Sequence, residues 1–466
     1  MESKVYSKSL TYFERLKVFL RKLECDQAVS FGILTRIWSL GAGPLTALLI
    51  ATRFTPEIQG YYYTFANILT LQLLLDLGFG TVILQFVSHE WSKLNLNEDG
   101  NIVGDEDALF RLISIARMAM KWYLAAAAIL VLFLCIGGYL FFSYSPSNSV
   151  KWEGPWLLLC LLTSANFCLI PVWALLEGCN QVKEVYTFRF YQGLAASTAI
   201  WVAILLKADL WAVSISTFVN FIWSIIFLKK RYHVFLKTLL PRRSPNGPRI
   251  DWRTQMLPMQ WRFTISVLCN VFLTSLYTPF LFKFYGPVIA GQMGMTWSLI
   301  SVLGLASSWL APKTPQFGIL VAQKKYRELD LLFWKLTKLV FVMTSVVGLL
   351  VFVFVVVLQY LDVGLARRIL PPLPTGLLLL AQCLSISSTT CSMYMRAHKK
   401  EPIMPLIVLG ALLNVLFVWI LGKHFAVVGV ASSYLLVMLI VVPSIFVLFF
   451  RFRKEMIWQV QSGITD

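Results

Sequence analysis

The sequence predicts an all-α polytopic membrane protein, with twelve transmembrane helices in two six-helix bundles. Three observations predict this. The 466-residue chain is 58% hydrophobic and 14% charged, with mean hydropathy +0.71. A soluble chain carries about 25% charged residues, so an ordinary soluble enzyme, a disordered chain and a secreted disulfide scaffold are all excluded. Apolar runs long enough to cross a bilayer recur along the whole chain. Basic residues collect in alternate loops.

A membrane helix needs about 20 mostly apolar residues. Twelve such stretches cover 29–52, 61–87, 122–144, 156–176, 190–206, 210–228, 263–282, 288–310, 339–360, 375–395, 402–421 and 426–450. They are continuous and do not alternate with period two, so strands are excluded. The preceding segment, 1–26, is polar and of mixed charge, without the apolar core of a cleaved signal peptide. With the N-terminus inside, 33 Lys and Arg fall on the cytoplasmic side and 7 on the outer side. This asymmetry predicts that both termini are cytoplasmic. It also accounts for the net charge of +18 without nucleic acid, because the excess faces anionic inner-leaflet lipid.

The densest basic segment, 229–262, contains Pro241, Pro245, Asn246, Gly247 and Pro248. It reads as a cytoplasmic linker between an N-terminal bundle, 1–228, and a C-terminal bundle, 263–466. The halves share a weak pattern. Aligning Gly60 with Gly291 places Lys283 beside Arg53 and Pro279 four residues after Pro44. Six helices entering from the same side in each half give a parallel repeat, the plan of many carriers, with the substrate path between the halves.

The eight cysteines form no C-x-x-C pair and lie mostly in apolar runs, where they act as small hydrophobes. No spacing suggests a metal, a cofactor, a phosphate loop or a catalytic constellation, so no enzyme activity is expected. The informative residues are those out of place in an apolar helix. Arg36 lies about 13–14 Å into a ~30 Å hydrocarbon core, counted from Gln27 at ~1.5 Å per residue. A charge there costs at least ~2.5–3.5 kcal/mol, so it faces water, an anion or a partner. Asp76 is the acid deepest in an apolar run. It reads first as the ion-pair partner of Arg36, and otherwise as a proton or sodium site. Pro44, after Gly41 and Gly43, predicts a bend, and its pairing with Pro279 makes both hinge candidates. Tyr61, Tyr62, Tyr63 and Trp309 read as interface anchors, with sugar stacking as the other reading.

These residues resemble a family. Arg36, then Thr55-Pro56-Glu57-Ile58-Gln59-Gly60-Tyr61-Tyr62, then Leu74-Leu75-Asp76-Leu77-Gly78-Phe79-Gly80, resembles the start of bacterial polysaccharide-biosynthesis flippases of the Wzx type. Phe284-Tyr285-Gly286-Pro287-Val288-Ile289-Ala290-Gly291 is similar to their eighth-helix entry, and Ala311-Pro312-Lys313-Thr314-Pro315 to their loop before helix nine. The resemblance implies a V-shaped inner-membrane carrier of the multidrug/oligosaccharidyl-lipid/polysaccharide superfamily. It would act as a monomer beside a polymerase and other polysaccharide-assembly proteins. Its substrate would be undecaprenyl-diphosphate-linked oligosaccharide, such as an O-antigen unit, moved by alternating access. Arg36 matches a basic first-helix position facing the diphosphate. Arg53 and Lys283 would receive the headgroup as the carrier opens outward. The alternative is a cation-coupled multidrug exporter of the same superfamily. The acidic loop with Glu98, Asp99, Asp105, Glu106 and Asp107 departs from the family pattern.

Overall fold

Apolar helices dominate the computed structural model, which describes residues 27–97, 100–143, 150–240, 247–248, 251–304, 310, 313–398 and 402–461. The N-terminal half begins with α1 (Gln27–Arg53). A broken rod follows, made of α2 (Pro56–Leu69), α3 (Gln72–Asp76) and α4 (Phe79–Trp91). Then come α5 (Glu106–Ser143), α6 (Glu153–Phe167) with α7 (Ile170–Gly178), α8 (Val182–Leu205) and α9 (Trp211–Arg231). The short helix α10 (His233–Leu239) lies in the predicted linker, with Phe235 and Leu239 buried. The C-terminal half runs through α11 (Leu257–Thr274), α12 (Tyr277–Tyr285), α13 (Pro287–Ile300) and α14 (Thr314–Ala322). It ends with α15 (Tyr326–Tyr360), α16 (Pro372–Ser387), α17 (Thr389–Ala397) and α18 (Met404–Gln461).

Eight described helical segments are long and apolar enough to cross a membrane, and the bent α2–α4 rod makes a ninth. The other expected spans escape that count for physical reasons. Helix α18 is two helices joined across a kink at Phe425 and Ala426, where φ turns positive at Ala426. Helix α8 carries Lys183, Glu184 and Arg189 in its first turns. The eighth expected span is broken after α13, and residues 305–309, with Trp309, lie outside the described residues, as do Ala311 and Pro312.

Several elements differ from the sequence expectation. Helices α5 and α15 start about 13–16 residues before their apolar runs and reach about 50–57 Å, well beyond the hydrocarbon core. The acidic loop after the second span contains an antiparallel hairpin, β1 (Leu94–Leu96) with β2 (Ile102–Gly104). Of its acids, Glu98 and Asp99 lie outside the described residues. Helix α1 is continuous through Pro44. The first rod of the second half breaks instead, between Thr274 and Tyr277. Under the Gly60–Gly291 alignment that break falls at the counterpart of Pro44. Pro279 sits in the first turn of α12, where its missing N–H has no helical acceptor to lose.

The two halves meet where α2 crosses α13. A Cβ added at Gly60 would lie 1.9 Å from the Pro287 carbonyl oxygen, and one at Gly291 would lie 2.9 Å from the Gly60 nitrogen. The two glycines that the sequence repeat pairs therefore face each other at the junction. Above them the aromatic rings of Tyr61, Phe142 and Phe282 pack with centroids 4.9–5.6 Å apart. Tyr61 is fully buried in this seam rather than anchored in an interface belt. The clash at Gly60 is with backbone, which cannot rotate aside. Gly60→Ala is expected to destabilise the protein by about 1–3 kcal/mol, read as a lower thermal midpoint in detergent. Gly43→Ala, where a Cβ meets nothing within 4 Å, is the control expected to leave it unchanged.

Candidate functional site

Beside the seam, α1 and α13 leave a gap between them. Helix α1 leans along α8 rather than α2. Two tryptophans fix that packing: Trp38 Nε1 donates to Ser197 Oγ at 3.3 Å, and Trp201 Nε1 donates to Thr46 Oγ1 at 2.8 Å. The rings lie 5.8 Å apart. The gap forms a cavity of about 600 Å³ lined by α1, α2 and α8 of the first half and by α13 and the turn after it. Arg36, Trp38, Tyr62 and Tyr63 line it, as do Ser197 and Ser298. No carboxylate is among its lining residues, and Arg36 makes no ion pair or hydrogen bond among the described residues. An arginine is always charged, and here its donors are left for a ligand or water.

The seam closes the cavity at the end where α1 turns into α2. Gln59 is 1% exposed, and its Nε2 donates across the junction to the carbonyls of Gly291 (2.9 Å) and Arg368 (3.0 Å). Arg368, on the loop between α15 and α16, donates from its guanidinium to the Phe54 carbonyl at 2.5 Å. Burial lowers the Arg368 pKa from the ordinary arginine value, and the charge of nearby Glu57 opposes that shift. Gln292 Nε2 donates to the Arg367 carbonyl at 3.0 Å. Sequence reasoning left Gln59 and Arg368 without a role. Their partners lie about 230–310 residues away, so no local pattern could mark them.

The predicted site residues separate into two groups. Arg36 and Pro44 both line the cavity. Arg53 and Lys283 are exposed at helix ends and do not line it. Pro279 lines a smaller apolar pocket of about 220 Å³ between the halves. Asp76 does not line the cavity, and the expected pair between Asp76 and Arg36 does not form. The reason is local. The helix ends at Asp76, and Leu77 and Gly78 take left-handed φ values of 51° and 67°. That turn directs the carboxylate to α5, where it accepts a hydrogen bond from the Tyr123 hydroxyl. The same turn frees the Leu77 carbonyl, which accepts from Thr264 Oγ1 of the C-terminal half at 2.9 Å. The belt reading of Tyr62 and Tyr63 is also overturned, since both face the cavity.

No protein-family model matches the chain, and no curated protein matches it. Solved structures do. One is an inward-facing multidrug resistance MATE family transporter of the MOP superfamily, at TM-score 0.64 and 12% identity, covering 89% of this chain and 95% of that one. Another is the lipid II flippase MurJ in an inward closed conformation, at TM-score 0.64 and 15% identity, covering 94% and 93%. A third is the MATE multidrug transporter DinF-BH, at TM-score 0.59 and 12% identity, covering 97% and 98%. These likenesses show the fold: an all-α polytopic membrane protein built as MOP-superfamily transporters are.

The new partner of Asp76 makes a prediction. Asp76→Asn and Tyr123→Phe should be non-additive in a double-mutant cycle on thermal stability, with a coupling of about 0.5–3 kcal/mol. Asp76→Asn and Arg36→Ala should add within about 0.5 kcal/mol. A strong Asp76–Arg36 coupling would contradict this geometry.

Proposed function

We propose that the protein is a flippase of the Wzx type. It carries undecaprenyl-diphosphate-linked oligosaccharide, an O-antigen unit or similar, across the bacterial inner membrane. One observation carries the reading: a cavity between the halves holds an arginine with no ion pair or hydrogen bond among the described residues and is lined by no carboxylate. A diphosphate is the ligand class that a cavity-lining guanidinium fork favours, because it accepts two parallel charge-assisted hydrogen bonds. A cationic drug would find only repulsion from that charge.

The transport cycle follows from the seam. In the proposed orientation both termini and the 229–262 linker are cytoplasmic, and the Gly60–Gly291 junction closes the outer end. The headgroup enters the cavity from the cytoplasmic side. Opening then breaks the Gln59 and Arg368 bonds and closes the opposite end. Arg53 and Lys283, at the outer ends of α1 and α12, meet the headgroup as it leaves. Pro44 and the break before Pro279 are the places where the two leading rods can bend. Basic loops hold the inner face against anionic lipid, and a polysaccharide polymerase would take the product outside. The protein works as a monomer, because each chain supplies both walls of the cavity.

The competing reading is a cation-coupled multidrug exporter. What favours it is the likeness to MATE transporters and Asp76, an acid within an apolar run, which is half-buried. Expression in a flippase-null strain separates the two. Restored surface polysaccharide without drug resistance is expected. Drug resistance without restored polysaccharide would overturn the proposal.

A further inference from the structure

The N-terminal half carries a second arginine without a partner, outside the cavity lining. Helix α5 places Phe110, Ser114, Arg117 and Lys121 at spacings of four, three and four residues, so they form a stripe along one face. Arg117 is half-buried, and its Nη1 is buried with no hydrogen-bond partner. The guanidinium makes no ion pair or hydrogen bond among the described residues, and neither do the Ser114 and Lys121 side chains. One residue beyond Lys121, Trp122 Nε1 is a second buried donor without an acceptor. The acids at the start of α5, Glu106 and Asp107, lie about 15–17 Å from Arg117 along the axis, at ~1.5 Å per residue.

The linker between the halves borders this stripe at both ends. Gly247 sits so close to the Phe110 ring that a Cβ there would overlap it. The Trp252 ring lies 6.3 Å from the Trp122 ring, and Trp252 Nε1 donates to Gln260 Oε1 of α11 at 2.8 Å. Arg117 therefore lies between two points where the linker touches α5. Trp122 opens the apolar run of α5, so in the proposed orientation this level is that of the inner-leaflet headgroups. Past Lys121 the same stripe continues through Leu124, Ala128 and Leu132, all exposed.

We infer that Arg117 and Lys121 hold the phosphate of an anionic inner-leaflet phospholipid, beneath the linker. A buried charged donor without an acceptor is costly, and two like charges four residues apart on a helix repel each other. One phosphate between them removes both costs. The guanidinium fork takes two of its oxygens in parallel, and the ammonium adds a point charge. The apolar stripe beyond Lys121 gives acyl chains a path that a free phosphate would not use. The bound lipid ties the linker to α5, so the hold of the linker on the first half depends on the lipid. This is independent of what the cavity carries.

The test uses the full-length protein in detergent, with lipid added back. Dioleoyl phosphatidylglycerol is the probe, dioleoyl phosphatidylcholine the zwitterionic control and inorganic phosphate the free-anion control. Phosphatidylglycerol should raise the thermal midpoint of the wild type saturably, and neither control should. Arg117→Gln should raise the phosphatidylglycerol concentration that gives half of the effect about tenfold, the scale of a lost charge-assisted pair. Arg117→Lys should fall between Arg117→Gln and wild type. Lys335→Gln removes an exposed charge elsewhere, on α15, and should respond as wild type does. If Arg117→Gln fails to fold, Lys121→Gln takes its place, since Lys121 is exposed, and should also need more lipid. The site is overturned if the variants at 117 and 121 respond like wild type, or if Lys335→Gln loses as much as they do. A wild-type response to inorganic phosphate equal to that to phosphatidylglycerol overturns the lipid as its source.

Discussion

The close approach of Gly60 to Gly291 governs the rest of the structure. Two helices from opposite halves touch backbone to backbone, because neither carries a side chain at the crossing. A methyl group at Gly60 would already overlap the Pro287 carbonyl. The crossing brings Gln59 within reach of the Gly291 and Arg368 carbonyls and seats Tyr61 against Phe282. In hydrocarbon there is little hydrophobic drive between helices, so close packing and hydrogen bonds must hold them together. This seam supplies both within one turn of helix. Its side-chain hydrogen bonds are few: Gln59 to the Gly291 and Arg368 carbonyls, and Arg368 to the Phe54 carbonyl. A junction of that kind holds one state without making the other inaccessible.

Beside the seam, α1 packs mainly on α8 and leaves a gap to α13. That separation exposes the polar face of α1, and it gives Arg36 its meaning. Two other arginines near the helix bundles are paired. Arg453 holds Asp330 at 2.6 Å, and Arg189 meets Glu177 at 2.5 Å. Those pairs tie helices within one half. Arg36 has no such pair among the described residues, and an unpaired charge in a membrane protein marks a place where something else supplies the counter-charge.

Much of the fold was legible because hydropathy is a bulk property of about 20 residues at a time. The apolar runs and the Gly60–Gly291 correspondence are local and additive. That Arg36 lies within an apolar helix was also legible, since position along a helix follows from counting. What escaped depended on three-dimensional partners. The Asp76–Arg36 pairing failed because Leu77 adopts φ 51°, a conformation that a leucine does not advertise. Gln59 and Arg368 looked like ordinary residues at span ends. The aromatic triplet was misjudged because burial of Tyr61 and exposure of Tyr62 to the cavity depend on the partner half. The long starts of α5 and α15 were missed because charged residues such as Arg111 and Lys335 end an apolar run without ending a helix.

The central claim is that Arg36 carries an anionic headgroup through the membrane. Purified protein in proteoliposomes, loaded with a fluorescent undecaprenyl-diphosphate-linked oligosaccharide, tests it most directly. An added quencher or lectin reports the fraction reaching the opposite leaflet. Wild-type protein should move the lipid. Arg36→Ala, incorporated to the same level, should fall to the rate of protein-free vesicles, and Arg36→Lys should retain part of the activity because it keeps the charge but loses the planar fork. Translocation by Arg36→Ala at the wild-type rate would contradict the account.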